Sequence, residues 1–387
     1  MKKVVIAIDS FKGCLSSIDA GEAVAAGVRN FLPNAEIVVM PIADGGEGMQ
    51  DVLITATHGQ RIVLKAYSPL MELQETSYGI SGDGETAFIE MASISGLPLV
   101  PEGRRNPMQT TSFGTGELIK DALTQGCRKF IIGLGGSATN DAGLGMLQAL
   151  GFRFYNREGK EVGGSSPLCG ALLSEVYHID CSLVHSALSN SRFTVACDVR
   201  NPFCGPEGAT HAFAPQKGAN QDMVTQLEAS MQHLVKVIRQ YSGKDIASVP
   251  GAGAAGGMGG ALLAFLKAEL KPGIDLLLDA LHFSEKIQDA DLILTGEGKA
   301  DRQTLMGKVP LGVLYESMKQ QIPVVLLAGS IEATEELNRA GFLGVFSILP
   351  SPVDLKQAIN PIYTRDNLRR TAEQVCRLLS FNTTQKH

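Results

Sequence analysis

No run of eighteen apolar residues occurs anywhere in the chain, which excludes a hydrophobic membrane-spanning helix. An excess of basic charge is missing as well. Lys and Arg number 34 against 40 Asp and Glu, giving a net charge of −6 and a pI near 5.7, whereas a nucleic-acid binder shows a basic face and a much higher pI. The seven cysteines, at 14, 127, 169, 181, 197, 204 and 376, are odd in number and contain no CxxC pair. Cys197 and Cys204 have no histidine cluster beside them, so a zinc site is not indicated and reduced thiols of a cytoplasmic protein are expected. The seven histidines form neither HExxH nor HxxxH and receive no catalytic role. At the N-terminus the apolar run Val4–Ile8 is stopped by Asp9, short of the hydrophobic segment of a secretory signal.

Glycine, by contrast, is abundant: 43 of 387 residues, about 11%, against a usual ~7%. The excess is concentrated in loops, where the backbone turns tightly or something approaches it closely. Between these loops the pattern alternates. Residues 3–9 are a β-branched run of the kind found in buried parallel strands. A helix from Ser16–Ser17 to about Phe31, a strand at 35–43, a helix to about Thr57 and a strand at 59–67 continue a β-α-β-α-β sequence. Residues 73–92 alternate around Ser-Gly-Asp-Gly, a hairpin signal. Helices follow near 112–125, 140–150 and 219–241, with a strand at 129–134. Strands at 291–295, 323–328 and 344–349, with helices near 309–320, 333–340 and 366–380, return to α/β alternation. The expected fold class is α/β: a Rossmann-like parallel-sheet domain built from both chain ends, residues 1–68 and 288–387, with a mixed α/β domain inserted at 69–287 and the active site in the cleft between them.

Six loops carry candidate chemistry. Gly133–Gly143 follows a strand and opens a helix, a setting suited to phosphate, with Ser137 and Thr139 as donors. Asp141 there either holds a magnesium ion or caps the helix, and no Lys follows the glycines as in a Walker A loop. Pro250–Gly260 is bare of bulky side chains until Met258, which permits close approach of either a ligand or a neighbouring helix. Thr295–Thr304, with Gly307–Lys308, sets Asp301 among Lys299, Arg302 and Lys308, a mixture suited to phosphoryl transfer or to a solvated surface. Asp9-Ser10-Phe11-Lys12-Gly13 and Asp44-Gly45-Gly46-Glu47-Gly48 end the first two strands. An acid closing a buried strand is costly unless it is paired or used. Finally, Asp198 and Arg200 follow the strand Thr194–Cys197, the acid as a base or metal ligand and the guanidinium as a carboxylate clamp, or both as parts of a turn.

Six segments occur in order: DSFKG at 9–13, PIADGGEG at 41–48, GLGGSATNDAG at 133–143, DVRNPF at 198–203, PGAGAAGG at 250–257 and TGEGKADRQT at 295–304. With them the chain resembles the bacterial glycerate kinases of the first type, over roughly residues 3–380. It departs from their pattern at Gly13, where acids are frequent, and at Met49, where Thr is frequent. The resemblance implies ATP and Mg²⁺ as cofactors, D-glycerate as substrate, and 2-phosphoglycerate, less often 3-phosphoglycerate, as product. Nucleic acid and membrane are not expected partners, and a homodimer is left open.

Residue chemistry then gives an expected division of labour. Gly135, Gly136, Ser137, Thr139 and Asn140, with Gly253 and Gly256, are expected to bind nucleotide. Asp9, Ser10, Lys12, Arg200 and Lys308 are expected to hold substrate, and Asp44 and Asp198 the metal. Asp198 or Asp301 is expected to orient or deprotonate the hydroxyl, with Lys12 stabilising charge. Two rival readings are a nicotinamide-dependent dehydrogenase, opposed by DSFKG standing where GxGxxG would follow the first strand, and a metabolite sensor without catalysis, opposed by the full set of loop acids.

Overall fold

A computed structural model describes residues 1–43, 48–164 and 166–380. The chain divides into two compact units, Met1–Asp44 with Ile274–His387, and Gly45–Gly273.

The first unit is organised by a five-stranded, wholly parallel sheet. Its strands are β1 (Lys3–Ile8), β2 (Glu36–Val39), β11 (Leu292–Ala300), β12 (Val324–Ile331) and β13 (Gly344–Ser347), in the order β13-β12-β11-β1-β2. Val4 through Ile8 are fully buried because β1 is central, with Ile6 registered on Leu294 of one neighbour and Val39 of the other. Each such Val or Ile contributes about 1.5–3 kcal/mol by burial. Ser16 caps the helix Ser17–Phe31 by accepting from the Asp19 N–H. Gly27 on that helix lets the helix Pro361–Ser380 come close, since a Cβ there would lie 2.0 Å from the Arg369 carbonyl oxygen.

One expectation for this unit is revised. The segment Thr295–Lys299 is strand, not loop: β11 continues to Ala300, pairing Lys299 with Ser330 and Ala300 with Ile331. Gly296 allows this, as any Cβ would lie 2.4 Å from the Leu327 oxygen of β12.

The second unit holds a six-stranded mixed sheet. Its strands are β3 (Gln60–Tyr67), β4 (Leu73–Ile80), β5 (Thr86–Glu90), β6 (Lys129–Gly133), β9 (Arg192–Ala196) and β10 (Glu269–Lys271), in the order β10-β9-β6-β5-β4-β3. A separate pair is made by β7 (Arg153–Tyr155) and β8 (His178–Asp180). The strands from β5 to β10 in the large sheet run parallel, while β3, β4 and β5 are antiparallel. Residues 60–67, read from the sequence as the third strand of the terminal domain, thus pair along their whole length with β4 instead. The contacts accordingly divide at 44/45 and 273/274, rather than near 69 and 288. The hairpin signal of Ser81–Gly84 does join β4 to β5. Phe130 and Phe193 stack at 4.6 Å within a core that also takes Phe152, Phe154 and Phe203. Among the described residues no helix is long and apolar enough to cross a membrane.

Candidate active site

Within the first unit a cavity of about 410 Å³ opens beyond the carboxyl ends of β1, β11 and β12, where open α/β sheets place their ligands. Asp9, Ser10, Lys12, Glu297, Lys299 and Lys308 line its polar side, and Phe11, Ile348, Leu349, Leu355 and Ile359 its apolar side. Four residues anticipated for substrate, Asp9, Ser10, Lys12 and Lys308, are therefore brought together. Asp9 is 5% exposed, and the Ser10 N–H donates to its Oδ1 at 2.7 Å. Its own N–H donates to the Gly296 oxygen, so β11 fixes where β1 ends.

Glu297 received no role from the sequence, yet it is the most deeply buried acid of this cavity, at 4% exposure. The Thr304 hydroxyl donates to its Oε1 at 2.6 Å and Lys308 Nζ lies 3.6 Å from its Oε2. Burial raises its pKa, with Thr304 and Lys308 pulling the other way, as expected of a desolvated carboxylate poised to take a proton. The continuous run would have drawn attention to it: Leu292 through Glu297 are all buried, and an acid that prolongs such a run is desolvated. Asp301, anticipated as a catalytic acid, is not among the cavity-lining residues. It closes a turn instead, accepting from the Gln303 N–H at 2.8 Å and facing Lys299 at 3.5 Å. Burial tends to raise its pKa, but the Gln303 N–H with Lys308 and Lys299 leaves it below the ordinary range.

In the second unit the loop after β6 splits into an outer and an inner part. Gly135 and Gly136 are exposed, whereas Thr139, Asn140 and Asp141 are fully buried. Thr139 and Asn140, anticipated for nucleotide, back the loop, and Thr139 Oγ1 and Asn140 Oδ1 reach no partner among the described residues. Asp141 ties the loop to Ser112, accepting from its N–H at 2.7 Å and its hydroxyl at 2.6 Å, and takes the Gly143 N–H at 3.1 Å. Burial raises its pKa while these donors oppose the rise. Of its two readings, the structural tie is the one realised.

The loop Pro250–Gly260 packs against protein backbone. A Cβ on Gly253 would lie 2.1 Å from the Pro202 oxygen, and one on Gly256 2.0 Å from the Thr139 oxygen. Gly253 and Gly256, anticipated for nucleotide, are both buried against this backbone. Ala255, Gly256 and Gly257 are left-handed, at φ 53°, 66° and 94°, which turns the chain before the helix proceeds. Asp198 holds the start of the next segment by accepting from the Gly273 N–H at 2.8 Å, and Arg200 is exposed. Asp44, anticipated as a metal ligand, lies outside the described residues. Among the described residues no cluster of three or more His, Cys, Asp or Glu forms a ready-made metal cage.

Lys217 is the second residue that the sequence did not reveal. It is 2% exposed, and its Nζ donates to Ser137 Oγ at 2.7 Å and to the Thr139 carbonyl at 2.6 Å.

Comparison with known proteins places these features. Residues 4–380 match the model of the "Glycerate kinase family". The chain is similar to a glycerate kinase of Bacillus subtilis (strain 168), 45% identical over 374 residues and 96% of each chain. It is equally similar to a glycerate 2-kinase of Escherichia coli (strain K12), 45% identical over 380 residues and 98% of each. A crystal structure from Salmonella typhimurium LT2, provisionally described as glycerate kinase 2, superposes with a TM-score of 0.90 at 41% identity over 99% of both chains. With its six loop segments, its parallel terminal sheet and this full-length similarity, the chain belongs to the glycerate kinase family.

Proposed function

We propose that this chain is a cytoplasmic kinase that transfers the γ-phosphoryl group of ATP to D-glycerate, with 2-phosphoglycerate as product. The observation that carries the reading is the pairing, in one cavity at the strand ends, of two buried acids, Asp9 and Glu297, with Lys12 and Lys308. Phosphoryl transfer needs little covalent participation from protein. It needs positioned reactants and neutralised charge. Glu297, its pKa raised by burial, orients the glycerate hydroxyl and accepts its proton. Lys12 and Lys308 balance negative charge on the transferring group and on the substrate carboxylate. Magnesium commonly binds through one or two carboxylates together with substrate phosphates, and Asp9 is a donor of that kind. When bound, the ion would neutralise phosphate charge. Phosphorylation at the 2-hydroxyl is favoured over the 3-hydroxyl by the similarity to a protein named glycerate 2-kinase.

The test is a coupled assay of ADP release on mixing the full chain with D-glycerate and Mg-ATP. ADP formation dependent on D-glycerate supports the proposal, and none above background overturns it. Phosphorus NMR of the product then distinguishes the 2- from the 3-isomer.

A further inference from the structure

The buried Lys217 is unexplained by the packing around it. A lysine this deep ordinarily has a carboxylate partner. Among the described residues none lies within ion-pairing distance. Asp141 acts on it only at longer range, and its oxygens are taken up by Ser112 and Gly143. What Lys217 does hold is the outer loop after β6, through Ser137 Oγ and the Thr139 carbonyl. Gly218, left-handed at φ +95° and pressed on the Arg105 oxygen, closes the turn that aims the lysine there.

The loop itself is fixed from both sides. The Leu97 N–H donates to the Gly136 oxygen, Ala138 N–H to the Ser95 oxygen, and the Thr110 hydroxyl to the Ala138 oxygen. The N–H groups of Gly135 and Gly136, by contrast, reach no acceptor among the described residues, while the turn over 134–137, with Gly136 left-handed at φ 73°, directs the Ser137 N–H back toward Leu134. Because Ser137 Oγ accepts from Lys217, its own hydroxyl hydrogen is directed elsewhere. Two backbone donors, one hydroxyl donor and a cation behind it are thus gathered at an exposed glycine pair. Consecutive backbone N–H groups in a loop of this kind make an anion-binding concavity. Thr139 Oγ1 and Asn140 Oδ1 are buried behind the loop with no partner among the described residues.

We propose that Gly135, Gly136 and Ser137 form an oxyanion cradle for a carboxylate or phosphate of the reactants, and that Lys217 is its positioning residue, acting through the Ser137 hydroxyl. The inference rests on the kinase reading for the identity of its ligands. Its consequence is that an arriving anion restores the charge of Lys217. Burial holds that ammonium down to about 7, against the pull of Asp141, the charged group that faces it. An anion over the loop supplies the missing counter-charge, and binding takes up a proton near neutral pH.

The experiment is NMR observation of the lysine side-chain resonances of the labelled full-length protein. The Lys217 signal is assigned by its loss in Lys217→Arg. Inorganic phosphate, D-glycerate and Mg-ADP are added separately. The expected result is a Lys217 signal that titrates near pH 7 in the free protein and moves to higher pH with one of the three probes. The probe that moves it tells a phosphate ligand from a carboxylate ligand. Affinity for that probe falls roughly 10-fold or more in Lys217→Met, while Lys217→Arg recovers part of it. A Lys217 signal unmoved by all three probes overturns the cradle. A signal that moves, in a protein that releases no ADP, leaves the cradle standing and removes the kinase reading. If Lys217→Met does not fold, Ser137→Ala with the same probes decides: unchanged affinity for the active probe overturns the proposal.

Discussion

Replacing Lys217 by Met changes how stability depends on pH, and the size of the change follows from the environment of this one group. The unfolded chain holds a lysine of ordinary pKa 10.5, whereas burial lowers it to about 7 in the folded protein. Between these values the unfolded state binds more protons, so wild-type stability rises with pH. Below about pH 7 both states are protonated and the whole cost of burying the ammonium is present. Above 10.5 it is gone. At ~1.4 kcal/mol per pH unit, the full span is about 5 kcal/mol. Methionine removes this term but leaves Ser137 and the Thr139 carbonyl without their donor, a loss of about 1–3 kcal/mol. The variant is therefore expected to be about 2 kcal/mol or more stabler than wild type at pH 6.5 and less stable at pH 10, the two curves crossing between. Urea denaturation of both proteins at half-unit pH steps measures the difference, in which groups common to both cancel. Parallel curves, with a constant offset across pH 6.5–10, would refute the claim that a titrating lysine is buried beneath the loop.

Three further outcomes are expected. Gly256→Ala puts a methyl group 2.0 Å from the Thr139 oxygen at φ +66° and should cost about 3 kcal/mol or more, lowering Tm by roughly 6–12 °C. Gly84→Ala, at φ +77° with open space around it, should cost only ~1–2 kcal/mol, and equal losses would reject the packing account. Glu297→Gln should lower kcat by ~10²-fold or more and abolish an acid limb that lies above the ordinary glutamate range in the pH–rate profile; undiminished turnover removes Glu297 from the chemistry. Lys12→Ala should raise the KM for D-glycerate, and a KM equal to that of wild type rejects its contact with the substrate carboxylate.

The strands of the parallel sheet are legible because burial on both faces demands an unbroken apolar run, and Val4–Ile8 and Leu292–Leu294 meet that demand. The sheet a strand joins is less visible. Residues 60–67 alternate exposed and half-buried positions, and nothing in that alternation tells whether β2 or β4 lies alongside. Glycine in Pro250–Gly260 was ambiguous for a related reason: absence of a side chain permits close approach, but the neighbour proved to be the Thr139 and Pro202 backbone rather than a ligand. The acids and lysines that end β1 and follow β11 could be placed at the cavity, since strand ends are recognisable. Lys217 and Glu297 were missed because their importance lies in desolvation, which is created by residues distant in the chain. In sequence, the lysine sits in an ordinary Pro-Gln-Lys-Gly turn.

The position of β1 bears on synthesis. This strand is made well before one of its two neighbours: β1 ends at Ile8, and β11 begins only at Leu292. At ordinary elongation rates of ~5–20 residues per second, Val4, Ile6 and Ile8 wait on the order of 15–60 s for that partner. The intervening unit, Gly45–Gly273, is complete before the terminal sheet can close. Until β11 emerges, a nascent chain of this protein therefore carries β1 without one of its two partners, a natural binding site for a holdase and the first place to look for aggregation when synthesis is stalled.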